Sequence, residues 1–367
     1  MTVVTHDMLI VGAGPAGLAC ALKARQQGLS ALVVDRSPLT GMRIGEHAPP
    51  SVRIQLQQLG CANLLEAEHH AGCPGVCSTW GSGDAERTEY FSNPYGHGFN
   101  LNRCRFDDDL ANLAVQEGAD LISNSRVVAV ERQGETWSAT ITGHECEFVN
   151  RARFVVDATG RSAFMAKQFG ARRQIFDQLV GVVGRTGPVG NTDSTVLIEA
   201  VESGWWYSAG MADGSIIACF MTDPDCADLS GGARHQTWQS MLEASSATKT
   251  RHPALQRIGN LQVCSANTSR LNRSSGDGWL AVGDSAFSFD PLSSEGMTKA
   301  LEWGGKAATC AKRYLCGEHN ALATYHDLAE QTFAEYLVGR YRYYRLEQRW
   351  PTSRFWHRRH RPPELLN

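Results

Sequence analysis

Residues 7–17 read DMLIVGAGPAG, an apolar run that breaks into Gly12-Ala13-Gly14-Pro15-Ala16-Gly17. The run from Asp7 to Val11 predicts a short buried strand. Ala16 to Gln27, rich in Ala and Leu, predicts a helix, so the glycines fall on a strand-to-helix turn. Ala31 to Asp35 predicts a second strand and completes a βαβ unit. In such a G-x-G-x-x-G turn the first glycine makes the bend, the second lets backbone approach a pyrophosphate, and the third lets helix and strand pack closely. Asp35 then stands where a carboxylate accepts from ribose hydroxyls. Gly12, Gly14, Pro15, Ala16, Gly17 and Asp35 are therefore expected to bind an adenine dinucleotide. The motif alone leaves FAD and NAD open.

A helix is expected from near Phe106, with Asp107, Asp108 and Asp109 in its first turn facing the positive end of the helix dipole. The strand RFVVDATG follows. Between 180 and 222 short apolar runs separated by Gly, Asp and Asn predict an antiparallel sheet. Residues 235–258 are expected to be helical, and WLAVGDS to be a strand leading to a helix from Gly296. From Ala321 onward the chain is helical in pattern, aromatic and basic, which suits packing of a terminal helix on the body better than nucleic-acid binding. The expected fold is α/β: a Rossmann-like cofactor domain (1–65, 100–165, 260–315) interleaved with an antiparallel-sheet substrate domain (66–99, 166–259) and followed by a helical region (316–367).

A net charge of −3 over 367 residues points to neither nucleic acid nor an acidic tail, and no apolar run is long enough for a membrane helix. The start of the chain has no signal-peptide pattern, and eleven irregularly spaced cysteines suit reduced thiols, so a cytoplasmic location is expected. His69, His70, Cys73 and Cys77 have a permitted ligand spacing but no second pair. They are read as a loop, with no metal expected.

VVDATGR (155–161) and GDSAFSFDP (283–291) resemble the second and third fingerprints of FAD-dependent aromatic hydroxylases. The resemblance implies FAD, with Asp157 and Gly160 in the second fingerprint and Gly283 and Asp284 in the third, Asp284 holding the ribityl hydroxyls. After Pro291, the helix opening at Gly296 and Met297 would aim free N–H groups at the flavin. LNRCRFDDDL (101–110) resembles the superfamily segment whose arginine reaches the cofactor, here Arg103, with Arg105 second. Arg36, Arg43 and Val127 complete the expected cofactor set. RIGEHAPPS (43–51) resembles the flavin-side G-E-x-x-x-P loop of flavin-dependent halogenases.

GWWYS (204–208) stands where tryptophan halogenases carry W-x-W-x-I-P, but the I-P is absent. No lysine occurs between Lys23 and Lys167, where those enzymes place one for the halogenating species. IGEHAPPS, GWWYSAGMADG with FMTDPD after it, DPLSSEGM and RYRYYRLEQRWPTSRFW together resemble the LodB-like flavoproteins that mature quinoprotein enzymes. The resemblance implies hydroxylation of a tryptophan in a partner quinoprotein precursor by FAD and O2 through a flavin C4a-hydroperoxide. Electrons would come from NAD(P)H or a separate flavin reductase. Glu46, His47 and Glu295 are candidate proton acceptors, and Pro291, Trp205 and Trp206 candidate site residues. The tryptophans should point to opposite faces of a strand, one packing in the sheet and one lining the cavity. A monooxygenase or halogenase of a free aromatic, and a non-catalytic FAD-binding partner, are the competing readings.

Overall fold

A computed structural model describes residues 3–38, 43–143, 147–190 and 192–362. The first two residues of the chain and the end of the basic tail, 363–367, lie outside them. Two large sheets organise the chain. In the first, Val3–Val11 pairs in parallel with Glu147–Asp157 on one side and Ala31–Val34 on the other. Trp279–Ala281 and Asp120–Ile122 extend this parallel set at its two flanks. An antiparallel hairpin, Arg126–Gln133 with Thr136–Thr142, is added to Glu147–Asp157. Successive strands run outward in opposite directions from Val3–Val11, so a crevice opens beyond the carboxyl ends of Val11 and Asp157, where doubly wound sheets hold ligands.

The second sheet has the order Leu261–Ser265, Val180–Arg185, Ile216–Thr222, Gly204–Gly210, Val196–Val201, Gly75–Thr79, Glu86–Glu89. It is antiparallel except where Val196–Val201 meets Gly75–Thr79. Leu261–Ser265, grouped by sequence with the cofactor region, pairs here with Val180–Gly184. Ala71–Cys73 and Gly75–Thr79 are strands, so the His69–Cys77 stretch is not a loop. Both strands are too short to show a period in sequence.

The Arg103–Gln116 helix begins a turn earlier than expected, because Asn102 caps it by accepting from the Arg105 N–H. The three aspartates therefore miss the first turn. Asp107 is instead wholly buried and receives Arg103 and Arg43. Residues 235–258 split into Arg234–Ala244, Ala247–Arg251 and a final tight turn at Pro253–Arg257.

The tail folds as Ala321–Leu346 and Arg354–Arg359 and lies on the body. Its cations meet named acids: Arg340 reaches Asp177 and Asp290, Arg359 reaches Asp223, and Arg358 reaches Asp223 and Asp225. Asp223 and Asp225, with Cys226, are compact enough for an ion, but these arginines already neutralise them. Among the described residues no helix is long and apolar enough to cross a membrane.

Trp205 and Trp206 do point to opposite faces, yet neither lines a cavity. Trp205 is 1% exposed, donates to the Tyr344 hydroxyl at 3.1 Å and meets Trp80 edge to face. Trp206 is 0% exposed, packed on Phe220 and against Trp238 of the Arg234–Ala244 helix. Alternation in a strand assigns faces, but both faces of this sheet are covered, one by the tail and one by the helix. The Trp206 N–H is buried without a partner. Replacing Trp206 by Ala is expected to destabilise the protein by about 3–5 kcal/mol in urea unfolding. Trp206→Phe, which also removes the unpaired N–H, should cost less than about 2 kcal/mol in the same measurement.

Candidate functional site: the crevice at the switch point

The three glycines of the first turn have three different reasons for lacking a side chain. At Gly12, with φ +111°, a Cβ would lie 2.3 Å from the Ala158 carbonyl oxygen. At Gly17 it would lie 2.0 Å from the Gly12 oxygen, so helix and strand could not close. At Gly14 a Cβ meets nothing within 4 Å; it faces open space at the start of the Pro15–Gln26 helix. That helix has Pro15 in its first turn and no side-chain cap, leaving N–H groups for an anion. A cavity of about 800 Å³ opens here, walled by Gly12, Gly14, Asp35, Arg36, Arg43, Val127 and Gly160.

Asp35 accepts from the Ala13 N–H at 2.7 Å and the Ser37 N–H at 2.8 Å. These bonds fix the carboxylate on the cavity wall and leave further lone pairs for hydroxyls. Asp157 has a different job. Buried, it accepts from Thr159 N, Thr159 Oγ1, Ser285 Oγ and Ala166 N, tying the second fingerprint to the third rather than facing the cavity. Gly283, at φ +61°, would place a Cβ 2.7 Å from the Ala16 Cβ, so the third fingerprint is seated directly on the first.

Asp284 presents a carboxylate that is 41% exposed between Lys299 Nζ at 3.3 Å and Arg161 Nε at 3.6 Å. Burial opposes its charge, but Lys299 and Arg161 hold its carboxyl below the usual range. Arg173 grips the carbonyls of Asp284 and Ser285. Lys299, Arg173 and Arg161 carry no sequence signal for this task. Their partners are distant in sequence, so no spacing announces them.

Beyond Asp284 the chain passes Asp290, Pro291 and a left-handed Ser294 before the Gly296–Leu315 helix. Gly296 faces open space and the helix has no side-chain cap, while Met297 is buried. Asp290 is a buried hub: Tyr344 donates to it at 2.8 Å, Arg340 at 3.1 Å and the Leu292 N–H at 3.0 Å, while its own N–H donates to Tyr336 at 2.6 Å. The terminal helix thus sets the Pro291 loop.

Opposite lies the Ile44–Pro50 loop. Arg103 straps this loop through the Ile44 carbonyl (2.6 Å) and Gly45 carbonyl (3.1 Å), braced by Asp107. Arg105 is exposed. Glu46 is buried, and burial raises its carboxyl above the usual range although Arg103 opposes the shift. Its Oε2 accepts from the Gly45 N–H at 3.0 Å, and its own backbone N–H also bonds the carboxyl. Burial lowers His47 to about 4, so its ring is neutral. Asn100 donates its amide hydrogens to the Ser194 and Gly210 carbonyls, which leaves its oxygen to accept from His47 Nδ1 at 3.3 Å. His47 Nε2 and the Tyr207 hydroxyl are buried without partners. Glu295, in contrast to Glu46, is exposed.

Residues 7–175 match the family described as FAD dependent oxidoreductase. A putative FAD-dependent oxidoreductase, LodB, of Marinomonas mediterranea is 30% identical over 97% of this chain and 97% of its own length. The chain belongs to the FAD-dependent oxidoreductases. Among solved structures, this oxidoreductase superposes on the myxobacterial chondrochloren halogenase CndH with a TM-score of 0.88, at 20% identity, over 97% of this chain and 86% of that one. It superposes on QhpG, a peptidyl tryptophan dihydroxylase essential for tryptophylquinone cofactor biogenesis, with a TM-score of 0.80, at 22% identity, over 97% and 79%. At these identities the likeness is one of fold. The open space at Gly14, the free helix start and the fixed Asp35 fit the dinucleotide half of FAD.

The glycines give a paired test on this oxidoreductase. Gly14→Ala is expected to leave the stability of the FAD-free protein within about 0.5 kcal/mol while weakening FAD binding about tenfold or more, read by fluorescence titration. Gly17→Ala should lower the stability of the FAD-free protein itself by about 1–3 kcal/mol. Equal effects of the two substitutions on the FAD-free protein would contradict the assignment.

Proposed function

We propose that this oxidoreductase is a monooxygenase that hydroxylates a tryptophan side chain of a partner polypeptide, in the biogenesis of a tryptophylquinone cofactor. The observation that carries the reading is Glu46: a buried carboxyl bonded by backbone N–H groups, beside an unpartnered Tyr207 hydroxyl and a neutral His47. Bound and reduced, FAD supplies from O2 an oxygen electrophilic enough for an indole ring. The ring carbon that gains oxygen must then lose its proton to restore aromaticity, and Glu46 Oε1 is the acceptor. Burial sharpens that role, because a raised carboxyl is a stronger base. Tyr207 and His47 Nε2 have hydrogen-bonding capacity left for the ring's N–H or its new hydroxyl. Arg103 keeps the loop that carries Glu46 in place.

Two features favour this reading over halogenation of a free aromatic. The chain has no lysine from 24 to 166, and Lys299, beside the Pro291 loop, is committed to Asp284 and the Phe287 carbonyl. Near the site, the Tyr90 and His47 rings converge on Gly98, and the next residue, Phe91, is 97% exposed. An aromatic ring left in water next to Tyr90 suits a macromolecular partner. The likeness to LodB over the whole chain, and in fold to a peptidyl tryptophan dihydroxylase, supports the same class of substrate. NAD(P)H or a separate reductase provides the electrons.

Co-expression with a tryptophylquinone-enzyme precursor, followed by mass spectrometry of its peptides, is expected to show one or two added oxygen atoms on a tryptophan. An unmodified precursor from cells whose purified oxidoreductase chlorinates, brominates or hydroxylates free indole would overturn the proposal. Glu46→Gln is expected to slow the hydroxylation about 10²-fold or more. Because burial raises the Glu46 carboxyl, the wild-type rate should climb with pH through a limb above the ordinary carboxylate range. That limb should vanish in Glu46→Gln, and its persistence would assign the proton transfer to another group.

A further inference from the structure

Lys299 sits in the first turn of the Gly296–Leu315 helix and is 4% exposed. Its ammonium lies 3.3 Å from Asp284 Oδ1, donates to the Phe287 carbonyl at 3.0 Å, and stands 4.1 Å from the centre of the Phe289 ring and 5.0 Å from that of Phe287. An ammonium taken this far out of water is tolerated only when it is paired and hydrogen-bonded, and here the pairing is with a carboxylate whose other side is open. Arg161 approaches the second carboxylate oxygen at 3.6 Å, and Arg173 holds the adjoining carbonyls. Asp157, behind Ser285, and Glu295, at the start of the helix, are the remaining charged neighbours. The result is a carboxylate clamped from behind and exposed in front.

We propose that Lys299 is a positioning residue for the cofactor: it fixes the orientation and negative charge of Asp284, so that the carboxylate meets the polyhydroxyl chain of FAD as a preset acceptor of two hydrogen bonds. The proposal rests on Asp284 being the ribityl ligand. A lysine suits the task because its compact head reaches Asp284 and the Phe287 carbonyl together while lying over the Phe287 and Phe289 rings.

The test is FAD binding to the FAD-free full chain by fluorescence titration, between about pH 8 and pH 5. Lys299→Met is expected to bind FAD about tenfold more weakly at neutral pH, and to weaken further on acidification as Asp284, relieved of its cation, takes up a proton. Wild type should stay flat over the same range. Lys299→Gln, which keeps a neutral hydrogen bond, should follow Lys299→Met in the pH profile. Asp284→Asn should be weak and independent of pH, and the double variant no weaker than Asp284→Asn alone. Wild-type affinity with a flat profile in a folded Lys299 variant overturns the proposal, as does full additivity in the double variant. Failure of both neutral variants to fold assigns Lys299 to packing and overturns it equally. Normal FAD binding by Asp284→Asn instead removes the underlying assignment of the ribityl ligand.

Discussion

Helix Pro15–Gln26 approaches its neighbours so closely that side chains are excluded at three points, and the cofactor end of the molecule is built around that approach. Gly17 lets it meet the Gly12 turn behind it, Gly283 lets the third fingerprint meet Ala16, and Gly304 lets the Gly296–Leu315 helix pass 2.6 Å, measured to a notional Cβ, from the Ala16 oxygen, while Gly12 gives the same closeness to the Ala158 carbonyl. The helix interior is correspondingly small, with Ala19, Ala21 and Ala24 fully buried. At its N-terminal end Gly14 faces open space. Close packing and an anion site are thus consequences of the same residues, because whatever brings helix, strand and loop together also aims the unsatisfied N–H groups into one crevice.

Asp290 plays the corresponding part on the opposite side. It is a buried carboxylate that caps the Pro291 turn and receives Tyr344 and Arg340 from the terminal helix, while Tyr344 also receives Trp205 of the second sheet. Three elements far apart in the chain therefore converge on the loop that leads into the Gly296–Leu315 helix. A buried charge held this way is costly to uncouple, since removing one partner leaves the others unpaired. The basic, aromatic tail belongs to the site through this hub, and its arginines have acids to meet on the protein itself.

The candidate catalytic side of the crevice is set by the contrast between two carboxylates. Asp284 lies among cations that hold its carboxyl below the usual range, which suits the proposed ligand for hydroxyls; Glu46 is buried, which raises its carboxyl and suits the proposed proton acceptor. Residue type does not distinguish them. Their surroundings do, and those come from Lys299, Arg161 and Arg173 in one case and from the strapped Ile44–Pro50 loop in the other.

What the sequence determined by itself was the local chemistry: the strand, glycine turn and helix at residues 7–17, the acid that follows at Asp35, the later fingerprints, and the alternation that sends Trp205 and Trp206 to opposite faces. Each of these is encoded within a few residues by steric demand or by a period of two. The tertiary structure alone decided that both tryptophans are core, that Asp157 ties the second fingerprint to the third, that Arg103 straps a loop, and that Lys299 stands behind Asp284. Burial and pairing depend on what arrives from elsewhere: Tyr344 lies 139 positions from the tryptophan it receives, and Asp290 lies 54 positions from Tyr344. No local pattern carries such distances, because the free energy of a buried polar group is fixed by its partner and not by its neighbours in the chain.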